Sequence, residues 1–136
     1  MLTGYYNVDT GKVKFPSLGS IKNWNYDSRT EFFADECGEL SGSAGEFYPP
    51  HQTRENPIAF FTPDMCRTLS FDYEEDVKIN GLKAFKYSAG ERTFDNGSQY
   101  EENECFCHGD CMPSGVLNIS SCRFGTPVFP YLDSFL

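Results

Sequence analysis

The sequence predicts a mainly β fold with short helices, and three observations support this prediction. Aromatic residues make up 16% of the 136 residues, and aromatic rings pack well on half-buried pleated surfaces. Turn signals separate short strand-like runs, and no stretch shows sustained helical periodicity. The dipeptide Asn80-Gly81 stands between two runs of strand-like composition. A chain of this length is suited to one domain, so we expect a single unit of short antiparallel strands.

The first predicted element is a hairpin near the N-terminus. Asp9-Thr10-Gly11 separates Tyr5-Tyr6 from Val13-Lys14-Phe15, and this arrangement predicts two paired strands. Residues 38–50 follow as small, polar and turn-rich sequence, which predicts a loop.

The middle of the chain contains the best strand pattern. Phe71, Tyr73, Val77 and Ile79 alternate with polar residues before Asn80-Gly81 interrupts the run. Asn-Gly favours a tight hairpin turn because both residues tolerate positive φ. We therefore predict antiparallel strands over Leu69–Ile79 and Lys83–Tyr87.

The charge of the chain excludes some partners. Its formal net charge is −9, with 11 basic residues scattered among 20 acidic ones. Nucleic acid requires a basic stripe, so we expect no nucleic-acid partner. The same balance disfavours simple adhesion to anionic membranes. The longest apolar run is Ile58-Ala59-Phe60-Phe61, far shorter than the roughly 20 residues that a membrane helix needs.

Four of the six cysteines lie in the stretch from Cys105 to Cys122, and two chemistries are possible there. Cys105, Cys107, His108 and Cys111 supply enough ligands for zinc, but their spacing is tighter than usual and leaves three cysteines over. Disulfides fit better because the cysteine count is even. Cys105 and Cys107 are too close to bond each other, whereas Cys107 and Cys111 can close a small loop. The other four cysteines would then form two long-range bonds.

Two glycosylation sequons support the oxidised interpretation. They are Asn96-Gly97-Ser98 and Asn118-Ile119-Ser120, and neither has proline in the middle. Asn118 lies between Leu117 and Ile119, so we expect its side chain to point outward while its neighbours point inward. The first residues lack the basic and apolar regions of a signal peptide. Disulfides and glycosylation sequons in a chain without a signal peptide predict that the chain is a piece of a larger protein.

The order of these motifs resembles the ectodomain of class B scavenger receptors over nearly the whole chain. That family includes fatty-acid translocase, the high-density-lipoprotein receptor, a lysosomal integral membrane protein and insect sensory neuron membrane proteins. The residues that carry the resemblance are Cys37, Phe47-Tyr48-Pro49-Pro50, Phe60–Arg67, Asn80-Gly81, Phe94–Ser98, Cys105-Phe106-Cys107, Cys111 and Ser114–Phe129. The chain departs from the family pattern at Asp133-Ser134-Phe135 and at Ser41–Gly45.

The resemblance implies a large antiparallel β-rich ectodomain with a lipid tunnel, held between two membrane helices. Residues 1–136 would be its middle-to-late portion, without the membrane helices and the helical apex. The implied disulfides are Cys37–Cys105, Cys66–Cys122 and Cys107–Cys111. The implied partners are lipids, fatty acids or lipoproteins, and the membrane is reached through segments outside this chain. The implied location is the plasma membrane or the lysosomal membrane.

Nothing in the sequence indicates an enzyme or a cofactor. His51 and His108 are the only histidines, and no nucleophile elbow, metal pair or phosphate loop accompanies them. The acidic run Glu74-Glu75-Asp76 is typical of a solvated strand end rather than of a calcium loop. The alternative to the receptor hypothesis is a secreted, disulfide-bonded β module for adhesion or ligand binding.

Overall fold

The computed structural model describes residues 4–107, 109 and 111–125. Its strands are β1 (Tyr6–Val8), β2 (Ile21–Trp24), β3 (Ile58–Thr62), β4 (Arg67–Ile79) and β5 (Leu82–Ser88), and one short helix, α1, spans Glu91–Phe94. Single 3₁₀ turns lie at Phe15–Ser17, Asp35–Gly38, Glu101–Phe106 and Ser121–Arg123. β1 pairs with β2, and β3, β4 and β5 form a second sheet, both antiparallel. The predicted fold class, mainly β with short helices, is confirmed.

The long hairpin β4–β5 follows the sequence pattern closely. Ile79 faces Leu82 across the turn, and the register continues to the pair Asp72 and Ser88. Asn80 and Gly81 have φ values of 49° and 86°, the left-handed region that a two-residue hairpin turn requires. The prediction of two strands joined at Asn80-Gly81 is confirmed, with each strand two residues longer than expected.

The longest apolar run of the sequence forms β3, which sequence reasoning did not assign as a strand. Its residues pair with the start of β4, from Ile58 opposite Phe71 to Thr62 opposite Arg67. Phe61 is only 1% exposed, and its ring lies 5.1 Å from that of Trp24. A short apolar run fits a buried strand and a buried helix equally well, so periodicity alone does not decide between them.

The predicted N-terminal hairpin is wrong in its pairing. β1 pairs with Ile21–Trp24 instead of Val13–Phe15. Val13 is 90% exposed, and Phe15 begins a 3₁₀ turn that contains Pro16. Proline has no N–H to contribute to a ladder, and Asp9 bonds instead to Ser20, further along the chain. The chain turns after Asp9, where Gly11 N–H bonds to the Asp9 carboxylate, but the strand that pairs with β1 lies further along, at Ile21–Trp24.

The loop predicted over residues 38–50 contains the joint between the two sheets. Ile21 donates to Gly42 O at 2.9 Å, and Ser43 exchanges backbone hydrogen bonds with Ala59 and Phe61. Ser43 is fully buried. Gly42 has a φ of 73°, and a Cβ there would lie 2.2 Å from Ala59 O. Only glycine allows this close approach.

Two apolar clusters form the core beside these sheets. The first contains Phe33, Cys37, Cys66 and Cys122, with Trp24, Phe32, Cys105 and Phe106 packed against it. The second contains Phe94, Leu117 and Ile119. Among the described residues, no helix is long and apolar enough to cross a membrane.

We expect Phe61→Ala to destabilise the oxidised chain by about 3–5 kcal/mol, because it removes a buried ring and leaves a cavity. The measurement is the free energy of unfolding in urea. Phe15→Ala is the matched control, since Phe15 is 59% exposed, and its substitution should change stability little. Equal effects of the two substitutions would contradict the assignment of Phe61 to the core.

Candidate functional site

The structure contains three disulfides, and two of them join the irregular segment beyond β5 to the earlier part of the chain. The three are Cys37–Cys105, Cys66–Cys122 and Cys107–Cys111, with Cα–Cα distances of 5.8, 6.0 and 4.8 Å. These separations lie in the range that disulfides adopt. The pairs are the ones that the family resemblance implies. The first two span 68 and 56 residues, and the third closes a four-residue loop.

The zinc alternative has no counterpart in the part of the chain that the structure describes. Cys105, Cys107 and Cys111 are all in disulfides, and His108 lies outside the described residues. No group of three or more His, Cys, Asp or Glu side chains suited to a metal ion occurs among residues 4–107, 109 and 111–125.

Arg67 lies buried beside the first two disulfides, although no pattern in the sequence predicts its burial. The side chain is 4% exposed, and its guanidinium lies 3.4 Å from the centre of the Phe106 ring. Its Nη2 donates to Thr93 O at 3.5 Å, and its Nε has no partner among the described residues. Burial lowers the pKa of Arg67 to about 9, so the group is still a cation at pH 7. The contact with Phe106 stabilises that buried charge.

Asp95 organises the loop that carries the first sequon. Its carboxylate accepts hydrogen bonds from the N–H groups of Gly97, Gln99 and Tyr100 at 2.9–3.3 Å. The hydroxyls of Ser98 and Ser114 donate to its other oxygen at 3.1 Å. Burial alone would raise the pKa of Asp95, but these donors outweigh it and lower the pKa to about 2.

The two predicted glycosylation residues lie in different settings. Asn96 donates from Nδ2 to Met112 O at 2.9 Å, and its Oδ1 accepts from the Ser98 N–H. The single hydroxyl hydrogen of Ser114 is shared between Asn96 Oδ1 and Asp95 Oδ1, each 3.1 Å away. A glycan replaces one of the two hydrogens on Nδ2, so the remaining one can keep the bond to Met112. Asn118 accepts from Ser120 N–H and Oγ–H. No hydrogen bond from its Nδ2 occurs within the described residues.

The orientation of Asn118 stays a prediction. Leu117 and Ile119 are 6% and 3% exposed, whereas Asn118 is half-buried. The segment is irregular rather than a strand, so strict alternation of side chains does not apply, and Asn118 lines a small cavity together with Leu117 and Ile119.

A cavity of about 610 Å³ lies between β1 and the joint of the two sheets. This volume is within the range of 300–1,000 Å³ typical of small-molecule pockets. Its lining residues are Tyr6, Val8, Asp9, Thr10, Leu18, Gly19, Ala44, Glu46 and Phe47. The walls are mainly apolar, and the two carboxylates are the only charged groups among these lining residues. Such a site is suited to a ligand with a long apolar part.

His51 and the acidic run Glu74-Glu75-Asp76 do not come together in a catalytic arrangement among the described residues. His51 is exposed, in a loop. The acidic run at the bulge of β4 is exposed and paired: Lys86 contacts Glu74 and Glu75 at 2.8 and 3.4 Å, and Arg54 contacts Asp76 at 2.6 Å. These contacts fit the expected solvated face rather than a calcium site.

We expect Asp95→Asn to lower the melting temperature by several degrees, because an amide cannot accept all five hydrogen bonds. The folded-state pKa lies below the ordinary value of 3.8, so the stabilisation is present above that pH. It is lost as pH falls towards about 2. The measurement is thermal unfolding of both proteins across this range, where their difference should shrink. The matched control is Asp27→Asn at an exposed position, and a difference independent of pH would contradict the role of Asp95.

Comparison with known proteins agrees with these features. A model of the CD36 family matches residues 1–136. Protein peste of Drosophila melanogaster is 39% identical over 97% of this chain, and rat scavenger receptor class B member 1 is 34% identical over 93%. Mouse lysosome membrane protein 2 is 31% identical over 94%.

The chain spans only about a quarter of the length of these relatives, between 24% and 27%. The location predicted from the sequence, the plasma membrane or the lysosomal membrane, agrees with them, and one of them is named for the lysosome membrane. The family resemblance stated from the sequence is thereby confirmed: the chain belongs to the CD36 family, the class B scavenger receptors.

Proposed function

We propose that this chain forms part of the ectodomain of a membrane receptor that binds lipids, fatty acids or lipoproteins and passes lipid through an apolar tunnel. The chain supplies a middle-to-late portion of that ectodomain, and the membrane helices and helical apex belong to other parts of the protein. Membership of the family supports the receptor role, and one relative is named as a scavenger receptor. The role is binding and transfer rather than catalysis.

The observation that carries the lipid part of the proposal is the cavity beside β1. Val8, Leu18 and Phe47 give it an apolar wall, and each methylene that a ligand buries there contributes about 0.8 kcal/mol. Asp9 and Glu46 stand among its lining residues. Lys22 pairs with Asp9 at 3.7 Å, so Glu46 is the lining carboxylate without an ion pair among the described residues. Its negative charge disfavours the carboxylate end of a fatty acid nearby, so the acyl chain is the part that enters.

Filling this cavity tests the proposal. Ala44 lines the wall and is half-buried, so Ala44→Trp places a large ring in the space. We expect it to weaken binding of a fluorescent fatty acid, parinaric acid, at least tenfold, because the ring occupies the volume of the acyl chain. Fluorescence titration of the full 136-residue chain is the measurement.

Val13→Trp is the matched control, since Val13 is 90% exposed and does not line the cavity. It should bind the probe as the unchanged chain does. Equal affinity of the Ala44→Trp variant and the unchanged chain, or no binding by either, would show that this cavity is not the lipid site. Neither result would affect membership of the family.

The proposed disulfides and glycans are tested separately from lipid binding. We infer that the protein carries the disulfides Cys37–Cys105, Cys66–Cys122 and Cys107–Cys111 and glycans at Asn96 and Asn118. The measurement is a non-reducing peptide map of the chain expressed through a secretory pathway, before and after enzymatic removal of N-glycans. We expect three cross-linked peptides and conversion of both asparagines to aspartate.

Six free thiols with one zinc per chain, found by elemental analysis, would instead support an intracellular zinc protein. Asn96→Gln and Asn118→Gln are the controls for the glycan assignment. Each should remove one glycan and leave the three cross-links intact.

A further inference from the structure

The second sequon, Asn118-Ile119-Ser120, lies in a segment that the core holds on both sides. Leu117 and Ile119 are 6% and 3% exposed and belong to the second apolar cluster. Cys122, two residues after the sequon, is 8% exposed and is bonded to Cys66. This burial does not depend on what else packs on the chain, because added segments cover more surface rather than less.

Hydrogen bonds fix the residues of this sequon in place. The N–H and the hydroxyl of Ser120 both donate to Asn118 Oδ1, at 3.0 and 2.6 Å. The Ser120 carbonyl accepts from Arg123 N–H and Gly125 N–H at 3.0 and 2.8 Å, where a 3₁₀ turn begins at Ser121. The hydroxyl that defines the sequon is therefore engaged within the fold.

The segment is also fastened to the chain just before β4. Arg123 Nη2 donates to Asp64 O and Oδ1 at 2.7 and 3.0 Å, and Asp64 stands two residues before Cys66. The Cys66–Cys122 bond and this ion pair therefore hold the same two stretches together. Once the bond has formed, residues 117–123 leave the core only by local unfolding, which costs free energy.

Attachment of a glycan requires more freedom than this segment has. A sequon is defined by the asparagine and by the hydroxyl two residues later, so the transferase must contact both side chains at once. In the transfer, Asn118 Nδ2 forms a bond to the anomeric carbon of a lipid-linked oligosaccharide. The bond from that carbon to the lipid diphosphate breaks, and one Nδ2 proton goes to a base of the enzyme. An active site that encloses Nδ2 in this way must draw Ile119 out of the core together with its neighbours.

The competing reaction is the oxidation of two thiols. Cys66 and Cys122 lose two protons and two electrons, and the disulfide of a thiol oxidoreductase is reduced to two thiols by exchange. Asn118 stands four residues before Cys122, and at about 5–20 residues per second the two positions are synthesised within about one second of each other. Cys66 is already present when Cys122 appears, so the two reactions compete within the same short period.

We propose that Asn118 receives its glycan before the Cys66–Cys122 bond closes, and that closure of this bond ends the period in which the site is modified. This inference rests on the glycan at Asn118 proposed above. The fold accommodates the finished glycan, because the side-chain hydrogen bonds of Asn118 among the described residues involve Oδ1 alone. The order of the two reactions then sets what fraction of the protein carries this glycan.

Transfer to the purified chain in two states tests this order. The unglycosylated 136-residue chain is prepared oxidised, or reduced with its thiols alkylated. Each form is given purified oligosaccharyltransferase with a lipid-linked oligosaccharide, and mass spectrometry measures the modified fraction of Asn118 over time. We expect the reduced chain to be modified at least about tenfold faster than the oxidised chain, because the oxidised segment must first unfold locally.

Two variants with equal numbers of cross-links separate this bond from stability in general. Cys66→Ser with Cys122→Ser opens the bond beside the sequon, and this variant in oxidised form should be modified at Asn118 nearly as fast as the reduced chain. The matched control is Cys37→Ser with Cys105→Ser, which opens a bond that spans 68 residues instead of 56. The control should keep Asn118 protected.

Asn96 in the same samples reports on loss of the fold as a whole, and its modification should differ little between the two oxidised variants. Circular dichroism verifies that each keeps its sheets. The comparison of the unchanged chain in its two states needs no variant, so it decides the order even where a variant fails to fold.

Three outcomes would overturn the proposal. Equal rates at Asn118 for the oxidised and reduced chains would remove the order of reactions and leave the glycan itself in place. An equal rise at Asn118 in both cysteine variants would remove the specific role of the Cys66–Cys122 bond. No transfer to Asn118 even in the reduced chain would remove the proposed glycan at this site, and this inference with it.

Discussion

The two long-range disulfides are the constraint on which the rest of the described structure depends. Beyond β5 the described chain contains one four-residue helix and two 3₁₀ turns, so few ladder hydrogen bonds hold it to the sheets. Cys37–Cys105 and Cys66–Cys122 close loops of 68 and 56 residues. On the chain-entropy model each stabilises the fold by about 4 kcal/mol. Three of these four sulfurs belong to buried residues of the first apolar cluster, so the cross-links lie within the core.

In the irregular segment beyond β5, side-chain hydrogen bonds hold the backbone in place where ladder hydrogen bonds are absent. Asp95 gathers five donors from residues 97–100 and Ser114, and Asn103 Nδ2 donates to Arg92 O at 2.7 Å. A pKa of about 2 keeps the Asp95 carboxylate ionised in a mildly acidic compartment. The loop with the first sequon therefore has the same hydrogen bonds at the cell surface and in a lysosome. This constancy suits a family that includes a lysosome membrane protein.

The sequence predicted what depends on neighbouring residues and missed what depends on distant ones. The β4–β5 hairpin follows from alternation and from Asn80-Gly81, because the turn itself fixes the register. The partner of β1 could not be read from the turn at Asp9–Gly11, since the chain passes through a 3₁₀ segment before it returns as β2. The sequence around Cys66 does not distinguish Arg67 from an exposed arginine. Its burial depends on Phe106, nearly forty residues later, which only the disulfides bring near.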